Sequence, residues 1–193
     1  MAKKIKVRRP GRLIIISGPS GVGKDSAISR IRWLNKRILL SISFTTRPMR
    51  PGEKDKKSYN FVSVEEFEDK IKNDEFLEYT KYCDNYYGTL KSPIVSALNS
   101  KHDIILKIDV DGAEKVKKSG LNCISIFISP PSFNELKDRI NTRGLSEGDL
   151  IDKRLERLSY ELEKSKSYDY IVVHDKVDSC VDEILEILER PTP

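Results

Sequence analysis

Short apolar runs alternate along the chain with longer segments whose apolar residues recur every three or four positions. The short runs are rich in Ile and Val, as strands buried on both faces of a parallel sheet are, and they cover residues 13–17, 38–44, 104–108, 123–128 and 170–173. The periodic segments, at 151–162 and 181–188 above all, predict amphipathic helices. This alternation predicts an α/β domain with a mainly parallel sheet flanked by helices.

Two stretches break this rhythm. From about residue 44 to 92 the chain carries Pro- and Gly-rich turns and aromatic strand-like segments around Tyr59 and Tyr86, which predicts a smaller inserted subdomain. Residues 141–150 hold two glycines and little apolar content, as a mobile loop does. We therefore expect a single domain at 12–193, with a core at 12–43, 93–140 and 154–193 and a lid at about 141–153.

Length and charge set two limits. At 193 residues the chain is long enough for one domain with one or two inserted segments. The net charge is +5, but six of the 35 basic residues lie in the first twelve positions, which leaves 29 against 30 acidic residues. The near-neutral body does not favour a nucleic-acid partner, and residues 1–11 are interpreted as a solvated basic arm.

Cysteine and histidine content gives no sign of a zinc site. The three cysteines are widely separated, form no C-x-x-C pair and are accompanied by only two histidines. No apolar run approaches the roughly 18 residues of a membrane span. A reducing, cytoplasmic setting without a membrane partner is therefore expected.

One glycine-rich motif carries specific chemistry. Residues 18–24 read Gly-Pro-Ser-Gly-Val-Gly-Lys between the first predicted strand and a helical pattern, which is the context of a phosphate-binding loop. Its backbone N–H groups, the helix N-terminus and the lysine ammonium all attract phosphate oxygens. The motif predicts a bound nucleoside triphosphate, held by Gly18, Pro19, Ser20, Gly21, Val22, Gly23, Lys24, Asp25 and Ser26.

The residue after the lysine departs from this motif. That position normally holds Ser or Thr, whose hydroxyl binds Mg²⁺, and here it is Asp25. Ser26 lies about 100° further round a helix and does not simply take its place. Two interpretations stay open: Asp25 is a carboxylate ligand of Mg²⁺, or it is an acid that the helix dipole favours at this end.

A longer series of motifs resembles the guanylate kinase family. The matching segments follow the family's order and spacing over nearly the whole chain and include 43–53, 59–61, Glu78, 85–89, Asp109 and 143–144. The resemblance implies a P-loop NTPase-type core with a GMP-binding subdomain and a closing lid. It also implies transfer of the γ-phosphoryl group of ATP to GMP, with dGMP as a further acceptor and Mg²⁺ as cofactor.

The resemblance assigns residues to the acceptor side. Arg47 and Arg50 match the family's arginines that clamp the GMP phosphate through charge-assisted donors, and Tyr59 and Tyr87 would add hydroxyl donors. A carboxylate accepts two hydrogen bonds from the guanine edge but faces an acceptor nitrogen in adenine. By the family pattern, the guanine pocket consists of Glu78, Ser43, Thr89 and Asp109.

It also assigns the charges that stabilise the transfer. Besides Lys24 and Arg47, the lid-region arginines Arg139, Arg143 and Arg154 match those that close over the triphosphate. Each of these three, taken alone, would also pass as a surface charge on a helix.

Two further departures and two alternative functions stay open. Asp111 stands where the family usually has Gln, and His174 stands where it usually has Asn, which we interpret as surface tolerance on the adenine side. One alternative function is a catalytically silent module that binds a protein partner in the acceptor groove. The other is a kinase for another monophosphate or a phosphorylated sugar on the same fold.

Overall fold

The computed structural model describes residues 10–82, 84–132 and 148–190, with side chains in the last range from residue 156 onward. The strands are β1 (Leu13–Ser17), β2 (Ile38–Ser41), β3 (Phe44–Thr45), β4 (Asn60–Phe61), β5 (Phe76–Tyr82), β6 (Asn85–Leu90), β7 (Asp103–Lys107), β8 (Cys123–Ser129) and β9 (Tyr170–Val173). The helices are α1 (Lys24–Leu34), α2 (Val64–Lys72), α3 (Lys91–Asn99), α4 (Val110–Lys118), α5 (Gly148–Ser165) and α6 (Val177–Glu189).

The main sheet has five parallel strands in the order β2-β7-β1-β8-β9. Every residue of β1 is buried, because helices cover both faces of the sheet. Ile14 and Ile16 pack with α1 and α6, whereas Leu13 and Ile15 pack with α3 and α4. This confirms the predicted α/β class and brings the carboxyl ends of β1 and β7 together at the edge where such sheets bind ligands.

A second sheet lies within the stretch that the sequence marked as an insertion. Its strand order is β4-β3-β6-β5, with β3 and β4 parallel and the other pairs antiparallel. Phe67 of α2 is fully buried beneath it, with ring centroids 4.3 Å from Phe76 and 5.1 Å from Tyr86. An aromatic core therefore supports this sheet, and the exact limits of the subdomain stay a prediction.

The apolar run at 38–44 is divided between the two sheets, which corrects the prediction of one strand there. β2 ends at Ser41 beside β7, and β3 begins at Phe44 beside β6. Asn60 fixes the crossing, because its backbone N–H donates to the Ser43 carbonyl at 2.8 Å and its amide donates to the Ile42 carbonyl at 2.9 Å. Hydrophobicity predicts extended backbone but not the sheet to which it belongs.

The basic run at the N-terminus ends in a buried ion pair. Arg12 is only 8% exposed, and its guanidinium lies 3.0 Å from the carboxylate of Asp103 on β7. It therefore belongs to the sheet, while residues 1–9 lie outside the described residues. Among the helices described here, none combines the length and the apolar character needed to cross a membrane.

Candidate active site

The loop that follows β1 has a backbone that favours glycine at three of its positions. Gly18, Gly21 and Gly23 have φ angles of 148°, 83° and 105°, a region that favours glycine. A Cβ on Gly18 would lie 2.2 Å from the Ile128 carbonyl oxygen, so a larger residue does not fit. Gly23 precedes α1, which directs the first N–H groups of that helix toward the loop. We call residues 18–24 the phosphate loop.

Lys24 folds back onto the phosphate loop. Its ammonium donates to the carbonyl oxygens of Gly18 and, at 2.9 Å, Pro19. Burial lowers its pKa to about 8, although the nearby carboxylates of Glu161 and Asp25 act in the opposite direction. Because desolvation weakens this charge, an anion in the loop would restabilise it.

A second group of side chains lies on the smaller sheet. Arg47 is 8% exposed and places two nitrogens 2.7 and 2.5 Å from the carboxylate oxygens of Glu53. Its guanidinium also lies 5.0 Å from the ring centroid of Tyr59. The hydrogen bonds from Arg47 lower the pKa of Glu53 to about 2, so the pair stays charged and the guanidinium is held in one orientation. We call Arg47, Glu53 and Tyr59 the acceptor clamp.

The other two residues predicted near the acceptor phosphate lie around this clamp. The Tyr87 ring is 6.1 Å from the Tyr59 ring, in an edge-to-face arrangement. Arg50 is exposed, and its backbone N–H donates to Glu53 at 2.8 Å. The structure therefore brings Arg47, Tyr59 and Tyr87 close together, and Glu53 accepts hydrogen bonds from the Arg47 guanidinium and from the Arg50 backbone N–H.

The four residues of the predicted guanine pocket also come together, and we call them the acid pocket. Glu78 on β5 pairs in register with Thr89 on β6, with which it is hydrogen bonded, and it is 6% exposed. The Thr89 hydroxyl lies 3.4 Å from that of Ser43. Burial raises the pKa of Glu78 to about 7 against an ordinary value of 4.5. No described cation forms a salt bridge with this carboxylate in the ranges that the structure covers.

Asp109 joins the acid pocket to α4. One carboxylate oxygen caps the helix by accepting the Gly112 N–H at 2.8 Å, and the other lies 3.3 Å from Arg157. A Cβ on Gly112 would lie 2.7 Å from Glu78 Oε2 and 3.2 Å from Asp109 Oδ1. The two carboxylates therefore approach the same point, and Asp109 serves the helix and the pocket together.

Asp25 is paired with a lysine. Its Oδ1 lies 2.6 Å from the Nζ of Lys107, the last residue of β7. A Mg²⁺ ion on the same oxygen would lie about 2.1 Å away, in the space that this ammonium fills. An ion on Oδ1 would therefore have to displace the ammonium, and the usual metal-binding hydroxyl is missing at this position, so the role of Asp25 as a metal ligand stays a prediction. In the part of the chain with described side chains, no group of three or more His, Cys, Asp or Glu could hold a metal ion.

Comparison with known proteins decides the family. The guanylate kinase family model matches residues 10–191. The chain is 43% identical over 178 residues to a guanylate kinase of Prochlorococcus marinus subsp. pastoris, covering 92% of this chain and 97% of that protein. The chain belongs to the guanylate kinase family. A guanylate kinase of Clostridium tetani is 46% identical over 178 residues, which cover 92% of this chain and 85% of that one.

The family's fold is also the fold of this chain. The crystal structure of guanylate kinase from Anaplasma phagocytophilum superposes with a TM-score of 0.77 at 30% identity, and the match covers 94% of this chain and 86% of that chain. The P-loop NTPase architecture expected from the sequence is thereby confirmed.

The three lid-region arginines of the predicted site lie outside the part of the chain whose side chains the structure describes. Arg139 and Arg143 lie outside the described residues, and so does most of the predicted lid. Arg154 lies in α5, but its side chain is not among those described. Their roles over the triphosphate stay predictions.

Sequence reasoning missed the network that joins α5 to the site. Arg157 contacts Asp111 at 2.8 Å and Glu161 at 3.2 Å, besides Asp109. Burial alone would raise the pKa of Asp111, but hydrogen bonds from Tyr160 and Arg157 hold it below its ordinary value. The acid that departs from the family's usual Gln thus has a cationic partner. The spacing of Arg157 and Glu161, four residues apart in a helical pattern, was the available signal.

His174 corrects another interpretation, that of surface tolerance. It is only 7% exposed, and neither ring nitrogen has a hydrogen-bond partner among the described residues. Its ring lies against the phosphate loop, where a Cβ on Gly23 would come within 2.8 Å. His174 therefore helps to enclose the loop, and it is not a surface position.

Proposed function

We propose that this chain transfers the γ-phosphoryl group of ATP to GMP, giving ADP and GDP, and that dGMP serves as a further acceptor. The observation that carries the proposal is the buried Glu78 carboxylate in the acid pocket, on the same domain as a phosphate loop. Membership of the guanylate kinase family supports the same reaction.

On the donor side, the phosphate loop would bind the triphosphate of ATP. Glycine conformations at 18, 21 and 23 leave the backbone free to approach phosphate oxygens, and α1 begins immediately behind them. Lys24 would move its ammonium from the carbonyls of Gly18 and Pro19 to the phosphates. This exchange replaces a partly desolvated charge with a charge-assisted pair.

On the acceptor side, the two pockets would divide GMP between them. The acceptor clamp offers a rigid guanidinium to the phosphate, with Arg50, Tyr59 and Tyr87 beside it. The acid pocket offers the Glu78 carboxylate to the ring N–H and the exocyclic amino group of guanine. Adenine would leave that buried carboxylate facing an acceptor nitrogen, so it would be rejected.

The transfer itself needs no protein nucleophile. An anionic oxygen of the GMP phosphate forms a bond to the γ-phosphorus of ATP while the bond from that phosphorus to the β–γ bridging oxygen breaks, and the electron pair leaves with ADP. The chain contributes alignment and positive charge through Lys24 and Arg47. Mg²⁺ would accompany ATP as cofactor and would supply further positive charge during the transfer.

The alternative functions lose their support for the same reasons. A silent binding module would not need a lysine turned into the phosphate loop or an arginine held in one orientation in the acceptor clamp. A sugar phosphate would not use a buried carboxylate of this kind. We also propose the subdomain at about 44–92, the lid at about 141–153 and a cytoplasmic location, the last because the cysteine content is typical of a reducing compartment.

The proposal is tested by ADP release with ATP, Mg²⁺ and each of GMP, dGMP, AMP, UMP and CMP. We expect turnover with GMP to exceed that with AMP by at least about 100-fold in kcat/KM. No ADP release with GMP would contradict the reaction. Equal rates with GMP and AMP would contradict the assignment of the acid pocket to guanine.

A further inference from the structure

The Asp25–Lys107 ion pair occupies the junction between the donor and acceptor halves of the site. Lys107 ends β7 and lies in register with Ile16 of β1, just before the phosphate loop begins. Asp25 is in the first turn of α1, immediately after Lys24. The pair therefore links the end of β7 to the start of α1, and both lie beside the phosphate loop, where the proposed function places the triphosphate.

Lys107 is also oriented toward the acceptor side. Its Nζ lies 5.1 Å from the ring centroid of Tyr59, the same ring that Arg47 contacts at 5.0 Å. Its side chain is only 18% exposed, whereas that of Asp25 is 83% exposed. Lys107 thus lies between Asp25 and the acceptor clamp. The side of the Asp25 carboxylate that faces away from Lys107 is exposed to solvent.

Lys107 and Lys24 are close enough to repel one another. The charge of Lys107 is one of the causes that lower the pKa of Lys24. Two ammonium groups, one at the start of α1 and one at the end of β7, repel one another less when an anion lies between them. A polyphosphate bound in the loop would supply that anion.

We propose that this ion pair takes the place of a protein-held Mg²⁺: Asp25 positions Lys107, and the Lys107 ammonium supplies the fixed positive charge between ATP and the acceptor phosphate. In other phosphate-loop enzymes the group at the position of Asp25 is a hydroxyl that binds the metal. Here the ammonium fills the space beside that position. This inference rests on the proposed function, since it assigns Lys107 to the phosphates of that reaction.

The test measures binding of the imido analogue of ATP, which is not hydrolysed, by calorimetry in EDTA and in Mg²⁺. In the wild-type protein we expect Mg²⁺ to strengthen binding by less than about threefold. Lys107→Met should weaken binding in EDTA by about tenfold, because an ammonium–phosphate contact is lost. It should also raise the gain from Mg²⁺ to at least about tenfold, because Asp25 is released as a ligand.

Two control variants separate this effect from loss of structure. Lys107→Arg keeps the charge and should bind the analogue in EDTA within about threefold of wild type. Lys91→Met removes a surface lysine whose distance to its partner Asp74 is the same 2.6 Å, and it should change neither measurement. If Lys107→Met does not give a cooperative melting transition, Lys107→Gln carries the same test.

The outcomes distinguish this inference from the proposed function. Unchanged binding in EDTA, or an unchanged gain from Mg²⁺, in the Lys107→Met protein would overturn the role of Lys107 even if the wild-type protein phosphorylates GMP. Failure of the wild-type protein to phosphorylate GMP would overturn the proposed function and leave these binding measurements interpretable.

Discussion

Lys24 in the phosphate loop is half-buried and Glu78 in the acid pocket is buried, and desolvation moves their pKa values in opposite directions toward neutrality. The pKa of Lys24 falls to about 8, and that of Glu78 rises to about 7. Each group is held where its charge is poorly solvated. Each would therefore gain most from a ligand that brings the opposite partner, which in the proposed function is phosphate for the lysine and the guanine edge for the carboxylate.

The acceptor clamp differs from Lys24 and Glu78, because its positive charge is already paired within the protein. Arg47 already has its counter-charge in Glu53, and the short hydrogen bonds between them keep the pKa of Glu53 near 2. A phosphate there is met by a guanidinium that is oriented in advance but partly neutralised. We therefore expect Lys24 and Glu78 to dominate affinity and selectivity, and the acceptor clamp to govern alignment.

The largest effect is expected from Lys24→Met, which removes the charge of the phosphate loop and keeps the length of the stem. We expect kcat/KM for ATP to fall by about 10³-fold, because the ammonium stabilises the phosphoryl group during transfer. A coupled assay of ADP release measures this loss.

Binding of GMP alone is the control for this variant. The acid pocket lies on other elements, so calorimetry should give a GMP affinity within about twofold of wild type. A loss of activity below about tenfold would contradict the assignment of Lys24 to the donor phosphates.

Glu78→Gln should have the next largest effect, because it replaces an acceptor oxygen with an amide donor in a buried site. We expect kcat/KM for GMP to fall by about 100-fold and the ratio of GMP to AMP turnover to fall with it. The matched control is Glu75→Gln, since Glu75 is 39% exposed and contacts Lys70 at 3.5 Å. An unchanged ratio would remove Glu78 from base recognition.

The same substitution should stabilise the protein without ligand. A raised carboxyl pKa means that the folded chain holds the proton more tightly than the unfolded chain does. Its free energy of unfolding therefore falls as pH rises from 4.5 through about 7. The free energy of unfolding of the Glu78→Gln protein should not fall in this way. Above about pH 7 it should exceed that of the wild-type protein by at most about 3 kcal/mol, as measured by urea unfolding. Equal stability of the two proteins at high pH would show that Glu78 carries no such cost.

The sequence predicted the donor half of this comparison better than the acceptor half. The phosphate loop is contiguous, so its glycines and Lys24 could be located from one motif and its position between a strand and a helix. The partners that set the charge balance are remote: Lys107 is 82 residues from Asp25 along the chain. No local pattern indicates such a pair, and burial of His174 depends on packing that hydropathy does not reveal.

The residues of the acid pocket could be assigned only through the resemblance to the guanylate kinase family. Taken alone, Glu78 is an acid in a short aromatic strand, and its burial follows only from pairing of β5 with β6 and the approach of α4. The small sheet that makes this pairing was predicted from turns and aromatic residues, but its register was not. Long-range geometry, and not residue type, decides which carboxylate is desolvated.

The pH dependence of GMP binding offers a smaller but sharper test of the acid pocket. The proposed recognition of guanine uses the ionised Glu78 carboxylate, so GMP affinity should fall by about tenfold between about pH 8 and about pH 6. The phosphate of GMP also titrates near pH 6, and the Glu78→Gln protein corrects for it because its own dependence comes from the ligand alone. Parallel profiles for the two proteins would contradict a carboxylate that titrates near neutrality.

Gly112→Ala should produce the smallest effect and tests the acid pocket without altering any charge. The new Cβ would lie 2.7 Å from Glu78 Oε2, so the carboxylate must shift, whereas α4 itself gains a better helix former. We expect the KM for GMP to rise about fivefold, with the KM for ATP and the melting temperature nearly unchanged, because the new methyl group presses only on the carboxylates of Glu78 and Asp109. Lys118→Ala on the same helix is 74% exposed and should alter neither constant. An equal rise in both KM values would mean that the methyl group disturbs the phosphate loop as well as the acid pocket. The two regions would then not bind their substrates independently.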